Sequence, residues 1–125
     1  MNGQSIPHLP DPEAAALDRV ELELTAEAFP GLAAFAAGYL HEELELEHGS
    51  AAGAAWAFCE EADLEEVAQA ARGWELLELV GRERGAAAAA LLLVGRFGSA
   101  WQPGNPGDLE RVGAELRRAL EGWDE

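Results

Sequence analysis

The 125-residue sequence contains no lysine and only one cysteine, Cys59, so an internal disulfide is excluded. Long apolar runs are also missing, since the longest covers only residues 86–94, whereas a membrane-spanning helix needs about 20 residues. We therefore expect no membrane span and interpret this run as a buried helix. The opening residues MNGQSIPHLP lack the basic start and apolar core of a signal peptide, so the expected compartment is the cytoplasm.

Basic residues are scarce compared with acidic ones. The eight arginines face 24 aspartates and glutamates, which gives a formal net charge of −16. Residues 1–66 carry fifteen acids and one arginine, a net of −14, while residues 67–125 carry nine acids and seven arginines, a net of −2. Such a field repels nucleic acid and anionic lipid and steers a basic protein toward association. We therefore expect no nucleic-acid or membrane partner; the alternative to a basic protein partner is that the acids only maintain solubility.

The first part of the chain changes from an aperiodic segment to helical periodicity. Residues 1–12 hold three prolines and no apolar pattern, which predicts a flexible tail followed by one folded domain over residues 13–125. The next segment is ambiguous, because VELEL alternates with period two inside an alanine-rich stretch; we favour helix. After Pro30, apolar residues at positions 32, 35, 36, 39 and 40 predict an amphipathic helix that continues into the acidic segment.

Helix boundaries in the rest of the chain follow from capping residues. Gly49 and Ser50 are typical of a helix end and a helix start, and they precede a short alanine-rich helix. Asp63 followed by Glu66 predicts a capping box. That helix is expected to continue to Gly81, with further helices over about 84–97, ending at Gly98, and after a cap at Asp108. The sequence thus predicts an all-α fold, a compact single-domain bundle of five or six helices.

The apolar stripes of the predicted helices also indicate which tryptophans are buried and where the cysteine lies. Trp56, Trp74 and Trp123 fall on apolar stripes and are expected in the core. Trp101 lies in a loop rich in glycine and proline, where it either closes the end of the bundle or lies at an interface. Cys59 shares a helix with Trp56, and we expect it to be a core residue and not a nucleophile.

The segment GYLHEELELEHGS, residues 38–50, concentrates histidine and glutamate. If it is one helix, His41, Glu45 and His48 share a face and could bind zinc. The metalloprotease pattern H-E-x-x-H is absent, and solvated glutamates give no reason for an acid–base pair with separated pKa values. We expect no metal, no cofactor and no catalytic residue, with a metal-dependent helical enzyme as the less favoured alternative.

Residues 29–58, FPGLAAFAAGYLHEELELEHGSAAGAAWAF, resemble the start of the contact-dependent growth inhibition (CDI) immunity protein family of bacteria. The family pattern is a phenylalanine-rich helix, Gly-Tyr-Phe or Gly-Tyr-Leu, a histidine, a short acidic segment and a Gly-Ser pair. A leucine-rich helix, and then a glycine, an aromatic and a proline, follow in the same order, so the resemblance covers about residues 28–122. The matching positions are Phe29, Phe35, Gly38, Tyr39, His41, Gly49, Ser50, Gly98, Trp101 and Pro103.

The chain departs from the family pattern at several positions. Glu43 and Leu44 stand where the family usually has an aspartate and an aromatic residue, and His48 stands where it usually has tyrosine. The last helix lacks the Trp-Leu pair with which it normally opens. These departures leave the implied fold intact and concern the choice of partner.

The resemblance implies a non-enzymatic protein that binds a toxin domain, commonly a nuclease, delivered by a neighbouring cell. A nuclease presents positive charge to phosphates, so an acidic surface suits its groove. We therefore expect a basic cognate toxin C-terminal domain as the partner; the alternative is a helical adaptor or regulator of another basic protein. The expected partner-binding residues are Glu42, Glu43, Glu45, Glu47, Glu60, Glu61 and Asp63.

Overall fold

The fold of the chain is seen in a computed structural model that describes residues 12–123, apart from the side chains of Pro12, Glu13 and Trp123. This range forms α-helices and contains no strand, which confirms the all-α prediction. The helices number seven, against the expected five or six. They are α1 Pro12–Glu23, α2 Pro30–Tyr39, α3 Leu44–His48, α4 Ala51–Glu61, α5 Leu64–Arg84, α6 Ala86–Phe97 and α7 Pro106–Trp123.

The helix count differs because the chain breaks at one place where we predicted continuity, and a second helix boundary lies at another residue than predicted. A turn over residues 40–43 separates α2 from α3. Helix α5 continues past Gly81, and Gly85, at a φ of 100°, separates it from α6. The ambiguous N-terminal segment is helical, and Pro12 begins α1 although it was assigned to the tail. The rest of the predicted tail, residues 1–11, lies outside the described residues.

The predicted caps are confirmed at three junctions. Gly49 has a φ of 81°, and the Ser50 hydroxyl accepts a hydrogen bond from the Gly53 amide at 3.0 Å. Asp63 and Glu66 form the capping box of α5. Gly98 ends α6 in the left-handed conformation, which glycine adopts without steric cost.

The predicted cap at Asp108 is wrong, because α7 begins two residues earlier at Pro106. Asn105 accepts a hydrogen bond from the Asp108 amide at 3.1 Å, and the Asp108 carboxylate accepts one from the Gly104 amide at 2.7 Å. Proline suits the first helical position, where its missing N–H has no helical partner. Asn105 therefore caps α7, and Asp108 braces the loop in front of it.

Helix α5 lies at the centre of the bundle and packs against α1, α2, α4, α6 and α7. Its Trp74 is fully buried and donates a hydrogen bond from Nε1 to the Leu109 carbonyl at 2.7 Å. Phe35 of α2 packs against Trp74 and Phe58, with ring centroids 5.7 and 5.1 Å apart. These contacts fix α2, α4 and α7 around one aromatic core.

A buried ion pair joins α5 to α7 next to this core. Glu78 is only 5% exposed, and the Arg117 guanidinium lies 3.1 Å from its Oε1. Arg117 also keeps Glu78 from being a buried charge without a partner, which would be costly. Arg117 therefore has a structural role.

The exposed tryptophan corrects one core prediction. Trp56 is 58% exposed, because α4 turns Ala54, Ala55 and Phe58 toward the core and the intervening position faces outward. Trp74 is buried as predicted, and the side chain of Trp123 lies outside the described residues.

Trp101 closes one end of the core. Its ring stacks on Trp74 with centroids 6.5 Å apart, and its amide donates to the Ser99 hydroxyl at 3.0 Å. Pro103, two residues on, is buried. Of the two alternatives for Trp101, packing at the end of the bundle is the one the contacts support.

The apolar helix α6 is only partly buried. Leu93 is fully buried, but Leu91 and Val94 are 76% and 39% exposed, so the prediction of a buried helix holds for one face only. None of the helices within residues 12–123 combines the length and the hydropathy needed to cross a bilayer.

Candidate functional site

The seven candidate acids lie on the turn before α3, on α3 and around the end of α4. All seven are exposed. In the described part of the chain, the arginine ion pairs go to other acids, and none of the seven pairs with an arginine. We call these seven residues, Glu42, Glu43, Glu45, Glu47, Glu60, Glu61 and Asp63, the acidic surface.

Tyr39 connects the two segments of the acidic surface. Its hydroxyl donates a hydrogen bond to Oε1 of Glu61 at the end of α4. Its ring packs edge-on against Phe58, with centroids 5.4 Å apart, and lies beside the His48 ring at 5.9 Å. The hydrogen bond to Glu61, and then burial, raises the pKa of Tyr39 to about 12. The phenol therefore stays protonated and ties α2 to α4.

Two histidines surround one glutamate beside Tyr39. The Nε2 atoms of His41 and His48 lie 3.3 and 3.8 Å from Oε1 of Glu47. The ligand-capable atoms of the three residues all lie within 4.8 Å of one another. This cluster differs from the predicted set, in which Glu45 was the carboxylate. Glu45 lies instead at a cleft lined also by Trp101 and residues of α7.

The hydrogen bonds of His41 indicate what the cluster does. Its Nδ1 accepts a hydrogen bond from the Glu43 amide at 3.0 Å, so the proton of the neutral ring belongs on Nε2. Nε2 lies 3.3 Å from Oε1 of Glu47, and coordination of an ion through Nε2 would require a lone pair there in place of the proton. The arrangement suits a hydrogen-bonded clamp on the turn before α3 better than a zinc site.

The acidic surface divides into acids with a structural role and acids without one. Glu47 contacts the histidines, Glu61 accepts from Tyr39, and Asp63 caps α5. The carboxylates of the other four make no hydrogen bond or ion pair within residues 12–123; they are Glu42, Glu43, Glu45 and Glu60. These four are the ones available to a partner.

The family-motif residues mostly have structural roles here. Phe35 lies in the core, Gly49 and Ser50 form the α3–α4 junction, and Trp101 and Pro103 close the bundle. Gly38 differs, because a Cβ built there meets nothing within 4 Å and its φ is not positive. The fold accounts for each of these positions except Gly38.

Sequence reasoning missed a groove between α4 and α7. It is an open cleft of about 490 Å³ that includes Trp56, Cys59 and Glu60 on the α4 side. The signal was present in the spacing of these residues, which at i, i+3 and i+4 share a helix face. Burial, and then the charges of Glu115 and Glu60, raises the pKa of the Cys59 thiol to about 11, so the thiol is not activated as a nucleophile.

The described geometry thus combines an exposed acidic surface, a tyrosine–histidine clamp beneath it and a neighbouring groove with an exposed tryptophan. In comparisons with known proteins, no family model, no curated protein and no solved structure matches this chain.

Proposed function

We propose that this protein is an immunity protein that binds a basic toxin domain and neutralises it through the acidic surface. The observation that carries the proposal is a group of seven exposed acids without an arginine partner in the described part of the chain. The resemblance to the CDI immunity family adds the class of partner. Neutralisation is by occupancy: the bound protein covers the groove in which a nuclease holds phosphates.

Electrostatics supports such a role in two steps. At long range, a concentration of like charge raises the rate of encounter with a basic protein, by orders of magnitude at low salt. At contact, Glu42, Glu43 and Glu45 can pair with arginine or lysine of the partner without first breaking an ion pair of their own. The acids are thus available both for steering and for docking.

The clamp beneath the surface supports specific docking. Tyr39 fixes the end of α4 through Glu61, and the two histidines hold Glu47 on α3. The four acids available to a partner lie on the segments that these contacts fix, so their backbone loses less conformational entropy on binding than a mobile loop would. We infer that the clamp sets the spacing of the charges that the partner meets.

The test has two steps: capture of the partner with the tagged protein, and then an assay of whether this protein protects cells from the captured partner. Tagged protein is used to pull down partners from the bacterium that encodes it, at low and at high salt, with identification by mass spectrometry. The proposal predicts salt-sensitive recovery of a toxin C-terminal domain, which arrests growth when expressed alone and fails to do so when this protein is co-expressed. Recovery of a basic protein that is not a toxin contradicts immunity and favours the adaptor alternative.

A further inference from the structure

The groove between α4 and α7 is formed by two helix faces that lie side by side. Cys59 of α4 marks the line of closest approach, with its Sγ 4.0 Å from the Glu115 carbonyl of α7. The wall on the α7 side repeats at i, i+3, i+4 and i+7, so it is a continuous helical face. The lining residues are Trp56, Cys59 and Glu60 from α4, and Glu115, Arg118, Ala119 and Gly122 from α7.

Trp56 gives the groove an aromatic wall. It is 58% exposed on a helix whose other large aromatic residue, Phe58, is buried. Tryptophan is enriched among the residues that dominate binding energy at protein interfaces, and its ring face attracts cations. Ala119 and Gly122 on the α7 side are small and leave room for an incoming side chain.

The charges in the groove favour a cation. Glu60 pairs with no arginine in the described part of the chain. Among the described residues Glu115 pairs with Arg118 alone, at 3.6 Å, and the Arg118 side chain is 73% exposed, so this pair is weak. Two carboxylates and one guanidinium leave the groove one negative charge in excess.

We propose that the groove is a binding site for an arginine side chain of a basic protein partner, with the guanidinium stacked on Trp56 and paired with Glu60. Arginine fits better than lysine, because its planar, weakly hydrated head stacks on an indole and offers a carboxylate two donors at once. The identity of the partner rests on the proposed function, whereas the chemistry of the groove does not. Since Glu60 is adjacent to Glu61, the groove continues the acidic surface.

The direct test uses two short peptides on the intact ¹⁵N-labelled protein, Ac-Arg-Gly-Arg-NH₂ and Ac-Lys-Gly-Lys-NH₂, followed by NMR. We expect the arginine peptide to shift the Trp56 indole N–H and the amides of Glu60 and Ala119 most, and the lysine peptide to shift them several-fold less. Equal responses to the two peptides, or shifts confined to residues 42–47, would overturn the proposal.

Variants assign the response to individual groups. W56A should abolish the amide shifts in the groove, W56F should restore part of them, and E60Q should weaken peptide binding several-fold. E75Q is the matched control, since Glu75 is an exposed acid of α5 outside the groove, and it should behave as wild type. An unchanged response in both W56A and E60Q contradicts the site.

The captured partner separates failure of this inference from failure of the proposed function. A partner that binds W56A at least tenfold more weakly than wild type supports the groove as an anchor. A toxin domain that binds W56A as wild type, but does not bind E42R/E43R/E45R, leaves the proposed function standing and removes the groove from it. A groove that binds the arginine peptide in a protein that captures no toxin leaves the groove standing and overturns immunity.

Discussion

Two acid-rich regions of this protein differ in whether their acids form ion pairs with arginine. On α1, Asp18 and Glu21 accept hydrogen bonds from Arg84 at 2.8 and 2.6 Å, and Arg96 donates to the carbonyls of Glu21 and Leu24. On the acidic surface, no arginine pairs with any of the seven acids in the described part of the chain. Acids that are equivalent in a count of net charge therefore differ in use: Asp18 and Glu21 hold α1 in place, and the acidic surface is open to a partner.

The largest expected effect comes from reversing charge on the acidic surface. In E42R/E43R/E45R, three carboxylates without intramolecular partners become guanidinium groups. At low salt, association with the captured basic domain should slow on the order of 100-fold, and the rate should lose its dependence on salt. Stopped-flow or surface-based kinetics at several ionic strengths measures both.

The matched control carries the same change in net charge on other surfaces. E75R/E83R/E110R alters three exposed acids of α5 and α7. It should slow association far less, because screening over about 8–10 Å weakens charges remote from the interface. Equal slowing by both triple variants would show that total charge, and not the acidic surface, controls association.

The second-largest expected effect is on the pKa of Tyr39. Because Tyr39 is the only tyrosine in the sequence, its titration can be followed by ultraviolet absorbance. Tyr39 should ionise near pH 12, and E61A should bring its pKa down toward the ordinary value of about 10, because the hydrogen bond to Glu61 is the main cause of the shift. Since the folded pKa is raised, this stabilisation is complete below pH about 10 and is lost as the pH rises to about 12. E60A should leave the pKa of Tyr39 as in wild type. If E60A lowers this pKa as much as E61A does, the hydrogen bond to Glu61 is not the cause of the shift.

The third effect concerns the paired acids of α1. R84A removes the hydrogen bonds to Asp18 and Glu21 and one to the Ala14 carbonyl. Amide hydrogens of residues 12–23 should then exchange faster, while those of α4 and α5 stay protected. R82A is the control, since Arg82 is an exposed arginine two residues before Arg84 and forms no ion pair within residues 12–123. Unchanged exchange on α1 in R84A would mean that packing and the Arg96 hydrogen bonds are enough to hold this helix.

The smallest expected effect is that of zinc. Because His41 Nδ1 accepts a hydrogen bond from the Glu43 amide, the ring proton occupies Nε2, and 100 µM zinc should leave the melting temperature where chelator leaves it. A site with a micromolar Kd would instead stabilise the fold by about 2.7 kcal/mol at a hundredfold excess. A rise of several degrees that disappears in H48A would contradict the hydrogen-bonded arrangement and revive the metal-dependent alternative.

The sequence predicted what depends on local chemistry. The caps at Ser50, Asp63 and Gly98 follow from residues within one helical turn, and each is confirmed. The break after α2 does not follow from local residues, because the Leu40 carbonyl accepts hydrogen bonds from the amides of Ala100 and Trp101, which are distant in sequence. That long-range contact ends the helix at Tyr39 and makes Glu47, not Glu45, the neighbour of the histidines.

The candidate site was predictable to a similar extent. The exposure of the acids was predictable, because charged side chains are stable in water. The ion pairs of Arg84 with Asp18 and of Arg117 with Glu78 were not, because they depend on how the helices pack against one another. Trp56 was assigned to the core because it was placed on an apolar stripe, whereas Ala54, Ala55 and Phe58 form the buried stripe of α4. Which partner the acidic surface binds stays a prediction.

Hydrogen exchange of this protein with and without the captured toxin domain tests the central claim most directly. We expect protection of residues 42–47 and 56–63 in the complex and no change on α1, where Asp18 and Glu21 already pair with Arg84. A footprint on α1 or on the exposed face of α6, with residues 42–63 unchanged, would contradict the claim that the acidic surface forms the binding surface.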